Sequence, residues 1–359
     1  MQALGRLTAG IPLLTIAATF ALGGAGGLLA RWAGLPLAML LGSMVAITAA
    51  SALGLRIGGQ TPEVPQKWRF VLVPVIGTAI GASFPSDFAT QVLTWWPSML
   101  ALVIFIPAAH ALGYLIYARL GRLSPPTAFF AAMPGGFIES LDMGERAGAD
   151  MTLLIMLQFL RLILCIVLIP IGFSLIEGHA VGSASGLAAA GAHPPLTATD
   201  VAVLIAIAFA GWFIASRLHF PAAVLSGPLL LSGIAHAAGL TEAVPPGWTV
   251  LVTQWVMGTS LGARLAGFTR GQAGLALRLS LVHIGAVLTV ALGIGLLVSG
   301  PVGEPVSAVV LAFAPGGVTE MSLVALSLHL SAVYVTLHHL ARIVLAVLVA
   351  RLGQRWLPA

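Results

Sequence analysis

Long apolar stretches separated by short polar loops dominate this chain. We interpret five in each half as membrane-crossing helices, which need about 20 mainly apolar residues; they lie near residues 8–30, 36–55, 69–84, 92–118, 151–176, 199–216, 221–240, 248–263, 275–299 and 330–350. The first stretch has no clear cleavage site, so we take it as the first helix and not as a removable signal peptide. The pattern predicts an all-α integral membrane protein with about ten transmembrane helices.

Two further apolar segments, near residues 124–143 and 305–328, are each interrupted in the middle by Pro-Gly-Gly. A helix broken in this way has backbone groups without intrahelical partners, and each such group costs several kcal/mol in hydrocarbon. The freed groups must therefore face protein, water or a ligand. A new helix can begin after the glycines, and its first amides would suit an anion. The alternative is that the break only lets two hairpin tips pack closely.

The two broken segments are copies of one motif. Each contains a proline, two glycines and a glutamate, and the copies are 181 positions apart: Pro134, Gly135, Gly136 and Glu139, then Pro315, Gly316, Gly317 and Glu320. Nearer the start of each half the offset is 185. The repeat covers nearly the whole chain, as residues 1–176 and 199–359, joined by a linker at 177–198 that is rich in Gly, Ala, Ser and Pro.

Composition and charge refine this picture. The chain is 59% hydrophobic and 8% charged. A soluble domain of this length could not cover its surface with so few charged residues. If each motif segment turns back as a re-entrant hairpin, most basic loops share one side, as in cytoplasmic loops; they contain Arg6, Lys67, Arg119, Arg217, Arg264 and Arg351. Both termini would then be cytoplasmic. Five crossings per repeat would make the repeats inverted, which is usual in secondary transporters.

The duplicated glutamates fall within the first turn of the presumed new helices. A carboxylate there is stabilised by the helix N-terminus and can serve simply as a cap. A charge near the bilayer centre costs about 2.5–3.5 kcal/mol on insertion scales, so it needs a partner or a use. Glu139 and Glu320 are therefore candidates for a proton or sodium coupling site, for a structural cap, or for an ion pair with an arginine.

Each half also places an arginine about ten residues into its last helix. Arg161 and Arg342 are equivalent at the offset of 181, and Gln158 and His339 lie three residues earlier, on the same helix face. Two interpretations remain open. The arginines either form buried ion pairs with the motif glutamates, or they bind a substrate carboxylate in bidentate fashion.

Metal, cofactor and nucleic-acid sites are not predicted. His338 and His339 are adjacent, so on a helix their side chains diverge by about 100° and cannot easily share one ion. Cys165 is the single cysteine and lies in an apolar run. The basic residues are confined to short loops, with no soluble nucleic-acid module. We expect no cofactor, no metal, no direct nucleic-acid partner and no enzymatic activity.

The motifs resemble those of the bacterial membrane AbrB family. The resemblance rests on Pro134-Gly-Gly-Phe-Ile-Glu139, Gly148-Ala-Asp150 and Gln158-Phe-Leu-Arg161, with Pro315-Gly-Gly-Val-Thr-Glu-Met321 and Arg342 in the second half. It implies a bacterial inner-membrane protein. Family labels imply either an ammonia monooxygenase or a regulator of gene expression, and the chain does not look like the small DNA-binding regulators of the same name. The second copy has His339 for Gln158 and Ser331 for Asp150, so those roles cannot be symmetric.

The sequence favours a secondary transporter of a small solute, an anion being one candidate, with its site between the two broken helices. The predicted binding set is the two motifs with Gln158, Arg161, His339 and Arg342. A membrane sensor that affects gene expression indirectly is the alternative, and a metal-dependent monooxygenase is third. The expected partners are a small molecule or ion and the lipid bilayer, and a homo-oligomer is compatible with the sequence.

Overall fold

The structure is a computed structural model that describes residues 8–65, 67–84, 87–178, 196–264 and 270–356. Within these ranges the regular elements are helical and no strand is present. Arg6 and most of the predicted linker lie outside the described residues. The all-helical prediction is confirmed for the part of the chain that is described.

The apolar stretches and the motif segments account for the helices. Between residues 8 and 356, the described ranges hold fifteen α-helices: α1 Leu13–Trp32, α2 Ala38–Ala52, α3 Trp68–Gly81, α4 Phe88–Thr94, α5 Trp96–Leu115, α6 Pro125–Ala131, α7 Phe137–Arg146, α8 Met151–Glu177, α9 Ala198–Arg217, α10 Ala223–Ala237, α11 Gly247–Ala263, α12 Arg270–Val302, α13 Val306–Phe313, α14 Val318–Ser327 and α15 Ala332–Gly353. A π-helical turn, Ile116–Leu120, extends α5, and a 3₁₀ turn, Gln354–Trp356, follows α15. Each of the ten predicted stretches coincides with one helix of at least 14 residues.

Six of the described helices are long and apolar enough to cross a membrane, which indicates a membrane protein. They correspond to α1, α5, α8, α9, α12 and α15. Helices such as α2 and α10 have only 15 residues, or about 22 Å at 1.5 Å per residue, against a hydrocarbon core of about 30 Å. The count of ten crossings therefore stays a prediction.

The sequence repeat extends to the secondary structure. Helices α1 and α2 recur as α9 and α10 with bounds shifted by 185 positions, and α6 to α8 begin 181 positions before α13 to α15. The residues that precede α2 and α10, Leu37 and Ala222, both adopt a left-handed backbone conformation. The duplication is thus a property of the helices and their caps as well as of the motif.

The helices form two compact units, and each unit combines segments from both halves of the sequence. The first consists of Met1–Phe84, Ile169–Phe268 and Leu326–His329, and the second of Pro85–Leu168, Thr269–Ala325 and Leu330–Ala359. The units therefore cut across the predicted repeats 1–176 and 199–359, which describe similarity along the chain. That division into repeats remains a prediction about ancestry and topology.

Close helix crossings in the first unit depend on glycine. A Cβ at Gly26 of α1 would lie 2.5 Å from the carbonyl oxygen of Gly42 of α2, and one at Gly211 of α9 would lie 2.6 Å from that of Gly227 of α10. The two crossings are equivalent at the offset of 185. Small residues allow such approach where apolar burial no longer drives helix association.

The second unit contains both motifs and all twelve predicted site residues. Aromatic side chains fill its interior. The Phe105 and Phe313 rings meet edge to face with centroids 5.1 Å apart, as do those of Trp95 and Tyr334 at 5.2 Å. These contacts join α5 and the residue before it to α13, which leads into the second motif, and to α15.

Candidate functional site at two broken helices

The first motif separates two short helices, as predicted. Helix α6 begins with Pro125 and Pro126, whose missing N–H groups cost nothing in a first turn. It ends at Ala131, before Pro134, and α7 begins at Phe137. Gly136 is the N-cap of α7 and has φ of 68°, a left-handed conformation that glycine adopts without strain.

Side chains of α8 take up the carbonyl groups that the first break frees. Gln158 Nε2 donates to the carbonyl oxygen of Phe130 at 2.8 Å, and Arg161 Nη1 donates to that of Met133. Arg161 Nη2 donates to Gln158 Oε1 at 2.7 Å. The three-residue spacing on α8 thus produces one connected polar clamp on the end of α6.

The second motif is held in the same way by α15. His339 Nε2 contacts the carbonyl oxygen of Leu311 at 2.9 Å, and Arg342 Nη1 donates to that of Ala314. Arg342 Nη2 also donates to the Gly316 carbonyl oxygen at 2.7 Å. The Gln158, His339 and Arg Nη1 contacts each span 28 residues, so they are equivalent in the two clamps although glutamine is replaced by histidine. The Nη2 bonds differ, since Arg161 donates to Gln158 and Arg342 donates to Gly316.

The motif glutamates lie at the starts of the second half-helices. Glu139 and Glu320 are each the third residue of their helix, and each carboxylate folds back over the preceding glycine. A Cβ at Gly136 would lie 3.3 Å from Glu139 Oε2, and a Cβ at Gly317 would clash with the Glu320 carboxylate. A carboxylate occupies this place when it caps a helix start.

The two glutamates differ in burial. Glu139 is exposed, whereas Glu320 is 5% exposed. Arg161 is buried and gives its Nη groups to Met133 and Gln158, and no ion pair joins it to Glu139 among the described residues. The interpretation of Arg161 as the ion-pair partner of Glu139 is therefore wrong, because the carboxylate turns toward its own helix start.

The tip of the first break packs against α15. A Cβ at Gly135 would lie 3.4 Å from Ile343 Cα and 3.6 Å from the Arg342 carbonyl oxygen, and one at Gly136 would lie 2.8 Å from Val347 Cγ2. The first break thus lies beside the helix that clamps the second. The structure therefore brings the site residues of the two halves into one region.

A second polar cluster in the same unit was not predicted from the sequence. Ser98 Oγ lies 2.8 Å from His338 Nε2, and His338 Nδ1 lies 2.8 Å from the Tyr334 carbonyl oxygen.

In the turn between α12 and α13, burial raises the pKa of Glu304 to about 7, partly opposed by a hydrogen bond with Ser331. The only signal in the sequence is an acidic residue in an otherwise apolar turn.

Glu304 borders a cavity of about 490 Å³, which is also lined by Gln91, Thr94 and Trp95. No group of three or more His, Cys, Asp or Glu side chains within the described ranges is placed to hold a metal ion. The expectation of no metal and no cofactor stays a prediction.

Comparison with known proteins places this chain in a family. The sequence model described as "Transition state regulatory protein AbrB" matches residues 46–358. The uncharacterized protein YhjN of Bacillus subtilis (strain 168) is 22% identical over 352 residues, which is 91% of this chain and 89% of YhjN. The putative regulator AbrB of Escherichia coli (strain K12) is 22% identical over 232 residues, 64% of this chain and 63% of that protein. Since the match covers most of the sequence, including both broken helices and their clamps, the chain belongs to the AbrB family.

Proposed function

We propose that this protein is a secondary transporter of a small solute and that it binds its substrate at the two broken helices. The observation that carries the proposal is the duplicated clamp, in which equivalent side chains hold the ends of two interrupted helices in one unit. Irregular backbone at membrane depth is tolerated where it is buried in protein or lines a cavity. Paired discontinuous helices in repeated halves are typical of transporter binding sites.

The proposal includes a topology. Ten crossings with both termini cytoplasmic, in the bacterial inner membrane, agree with the distribution of basic loops. The two motif segments would then be re-entrant and the repeats inverted. Short helices such as α2 and α10 would cross where the bilayer is locally thinned, at a modest cost per Å of mismatch.

Glu139 and Glu320 have different parts in this proposal. Both carboxylates lie where a helix-start cap lies, which supports a capping role for each. Glu320 alone of the two is buried, so it is the better candidate for a coupling group. Replacing Glu320 with Gln keeps the shape while removing the charge and its titration.

Transport is tested with purified protein in proteoliposomes. Solutes that raise the thermal stability of the detergent-solubilised protein are first selected, since a ligand of the folded form must stabilise it. Each is then measured in counterflow, where labelled solute should accumulate in liposomes preloaded with unlabelled solute. Empty liposomes and the Gly317→Val protein, in which the side chain would clash with Glu320, should show none. Binding without counterflow for every stabilising solute would overturn the proposal.

The coupling role has its own outcome. If Glu320 couples transport to a proton or sodium ion, Glu320→Gln should still exchange solute but lose uphill accumulation. Glu139→Gln is the matched control, with the same chemistry at an exposed position. If both variants still accumulate solute, neither carboxylate is the coupling group and both are caps.

A membrane sensor is the second candidate. The name of the Escherichia coli relative, a putative regulator, favours it. A sensor would bind the stabilising solute at the same helices without moving it across the membrane. The counterflow experiment separates the two candidates.

A further inference from the structure

Two buried arginines lie at the broken helices. Arg161 is 6% exposed and Arg342 is 3% exposed. Removing a charged group from water is costly unless the charge is paired and fully hydrogen-bonded. These two guanidinium groups therefore need hydrogen-bond acceptors and a countercharge.

The two arginines are close together. Arg161 donates to the Met133 carbonyl, two residues before Gly135, and Gly135 packs on the backbone of Arg342. Cys165, one turn after Arg161 on α8, is buried and lies within electrostatic range of both guanidinium groups. Like charges at this proximity repel one another, which adds to the cost of burying them.

No carboxylate pairs with Arg161 among the described residues. Arg161 donates only to a carbonyl oxygen and an amide oxygen, and its neighbours Tyr117 and Cys165 are neutral in their ordinary states. The ends of the short helices α6 and α13 contribute at most about half a negative charge each. If Glu320 is counted against Arg342, the only countercharge left for Arg161 is the partial charge at the end of α6.

Three donor or acceptor atoms at the pair are also unused. The Nε atoms of both arginines and Nδ1 of His339 are buried, and none has a hydrogen-bond partner among the described residues. An unsatisfied buried group of this kind destabilises the folded protein, and a charged one does so more strongly. The Nη groups bind protein oxygens, so the Nε–H of each guanidinium is the donor left without an acceptor.

We infer that Arg161 and Arg342 form a binding site for a small oxyanion of the carboxylate class. The inference rests on the proposed function in that it assigns a substrate class to the same broken helices. An oxyanion would supply a full negative charge beside Arg161, which has no carboxylate partner, and oxygen acceptors for the two Nε–H groups. His339 Nδ1 would contact a polar substituent on the anion, a contact with no counterpart at Gln158. The Nε atoms are buried, so an anion reaches them only if the packing around them opens.

The inference is tested by thermal unfolding of the detergent-solubilised protein at constant ionic strength. The probes are sodium acetate, sodium succinate and sodium phosphate, with choline chloride as a cation control. We expect at least one carboxylate to raise Tm in a saturable way. Arg161→Lys and Arg342→Lys should weaken that binding at least about 10-fold, since an ammonium group cannot reproduce the guanidinium geometry.

Arg146→Lys is the matched control, because Arg146 is exposed and pairs with Asp142 at 2.8 Å. It should bind the probe as the unaltered protein does. If the buried lysine variants do not fold, the ¹⁵Nε–¹Hε resonances of the unaltered protein give a second measurement, and two buried arginine signals should shift on addition of the stabilising anion. No saturable stabilisation by either carboxylate, equal binding by the lysine variants, or unshifted Nε signals would overturn the inference.

The outcomes also separate this inference from the proposed function. Anion binding that depends on both arginines, without counterflow, leaves the site intact and overturns transport. Counterflow of a neutral or cationic solute, with no effect of any anion, leaves transport intact and overturns the anion site.

Discussion

Gly136 and Gly135 are neighbours at the tip of the first break, yet their local requirements differ. Gly136 has a left-handed backbone, and a Cβ there would lie 2.8 Å from Val347 Cγ2. Gly135 has no positive φ, and its nearest neighbour would be at 3.4 Å, an ordinary van der Waals distance. The conformation of the tip therefore depends mainly on the second glycine.

This difference predicts the outcome of two alanine substitutions. Gly136→Ala should lower the free energy of unfolding by about 1–2 kcal/mol from backbone strain alone, with a further loss from the contact with Val347. Gly135→Ala should change it little. Unfolding of both variants in the same detergent gives the comparison, and equal losses would show that the tip is not set by the conformation of Gly136.

Glu304 predicts a pH dependence of stability. Burial raises the pKa of its carboxyl from 4.5 to about 7, so the folded protein binds this proton more tightly than the unfolded chain does. Stability should therefore fall as the pH rises from about 4.5 to 7 and level off above that range. Glu304→Gln should flatten this part of the Tm profile. An unchanged profile in the glutamine variant would assign the slope to another group.

At the scale of the elements, α8 and α15 work as clamps on the interrupted helices. Each contributes two side chains one turn apart, and each pair satisfies carbonyls at the end of a half-helix. The prolines remove backbone donors at these helix ends, and the side chains supply hydrogen bonds that an apolar interior requires. The Phe130 carbonyl also accepts from Met133 N at 3.4 Å. The conformation of the break is thus specified by a neighbouring helix together with its own glycines.

Double-mutant cycles test which partner Arg161 has. Because Arg161 Nη2 and Gln158 Oε1 are 2.7 Å apart, Gln158→Ala and Arg161→Lys should show a coupling energy of about 0.5–3 kcal/mol in unfolding. The cycle of Glu139→Gln with Arg161→Lys is the control, and its coupling should be near zero. Strong coupling in the second cycle and none in the first would support an ion pair between Glu139 and Arg161.

At the scale of the whole molecule, the proposed topology predicts labelling from defined sides. In a Cys165→Ser background, single cysteines replacing Gln66 and Gln272 should both react with an impermeant reagent from the cytoplasmic side. A cysteine replacing Ser185 should react from the outside. Opposite accessibility of the first two positions would contradict the inverted-repeat arrangement.

The sequence by itself determined the helices, the two breaks and the repeat. Apolar runs, prolines and paired glycines act locally, so the stretches near 151–176 and 330–350 and the interruptions at Pro134 and Pro315 are evident without a structure. The offset of 181 also identified His339 as the counterpart of Gln158, and the two side chains make equivalent contacts. The helices and the breaks depend on neighbours within a few turns of the same helix.

Only the tertiary structure decided what these residues contact. Glu139 and Glu320 have the same local motif, yet one is exposed and the other buried, because burial depends on helices distant in sequence. The acceptors of Arg161 and Arg342 are backbone carbonyls, which no side-chain pattern reveals. The compact units likewise combine both halves of the chain, since packing joins helices by the surfaces they can bury and not by their order in the sequence.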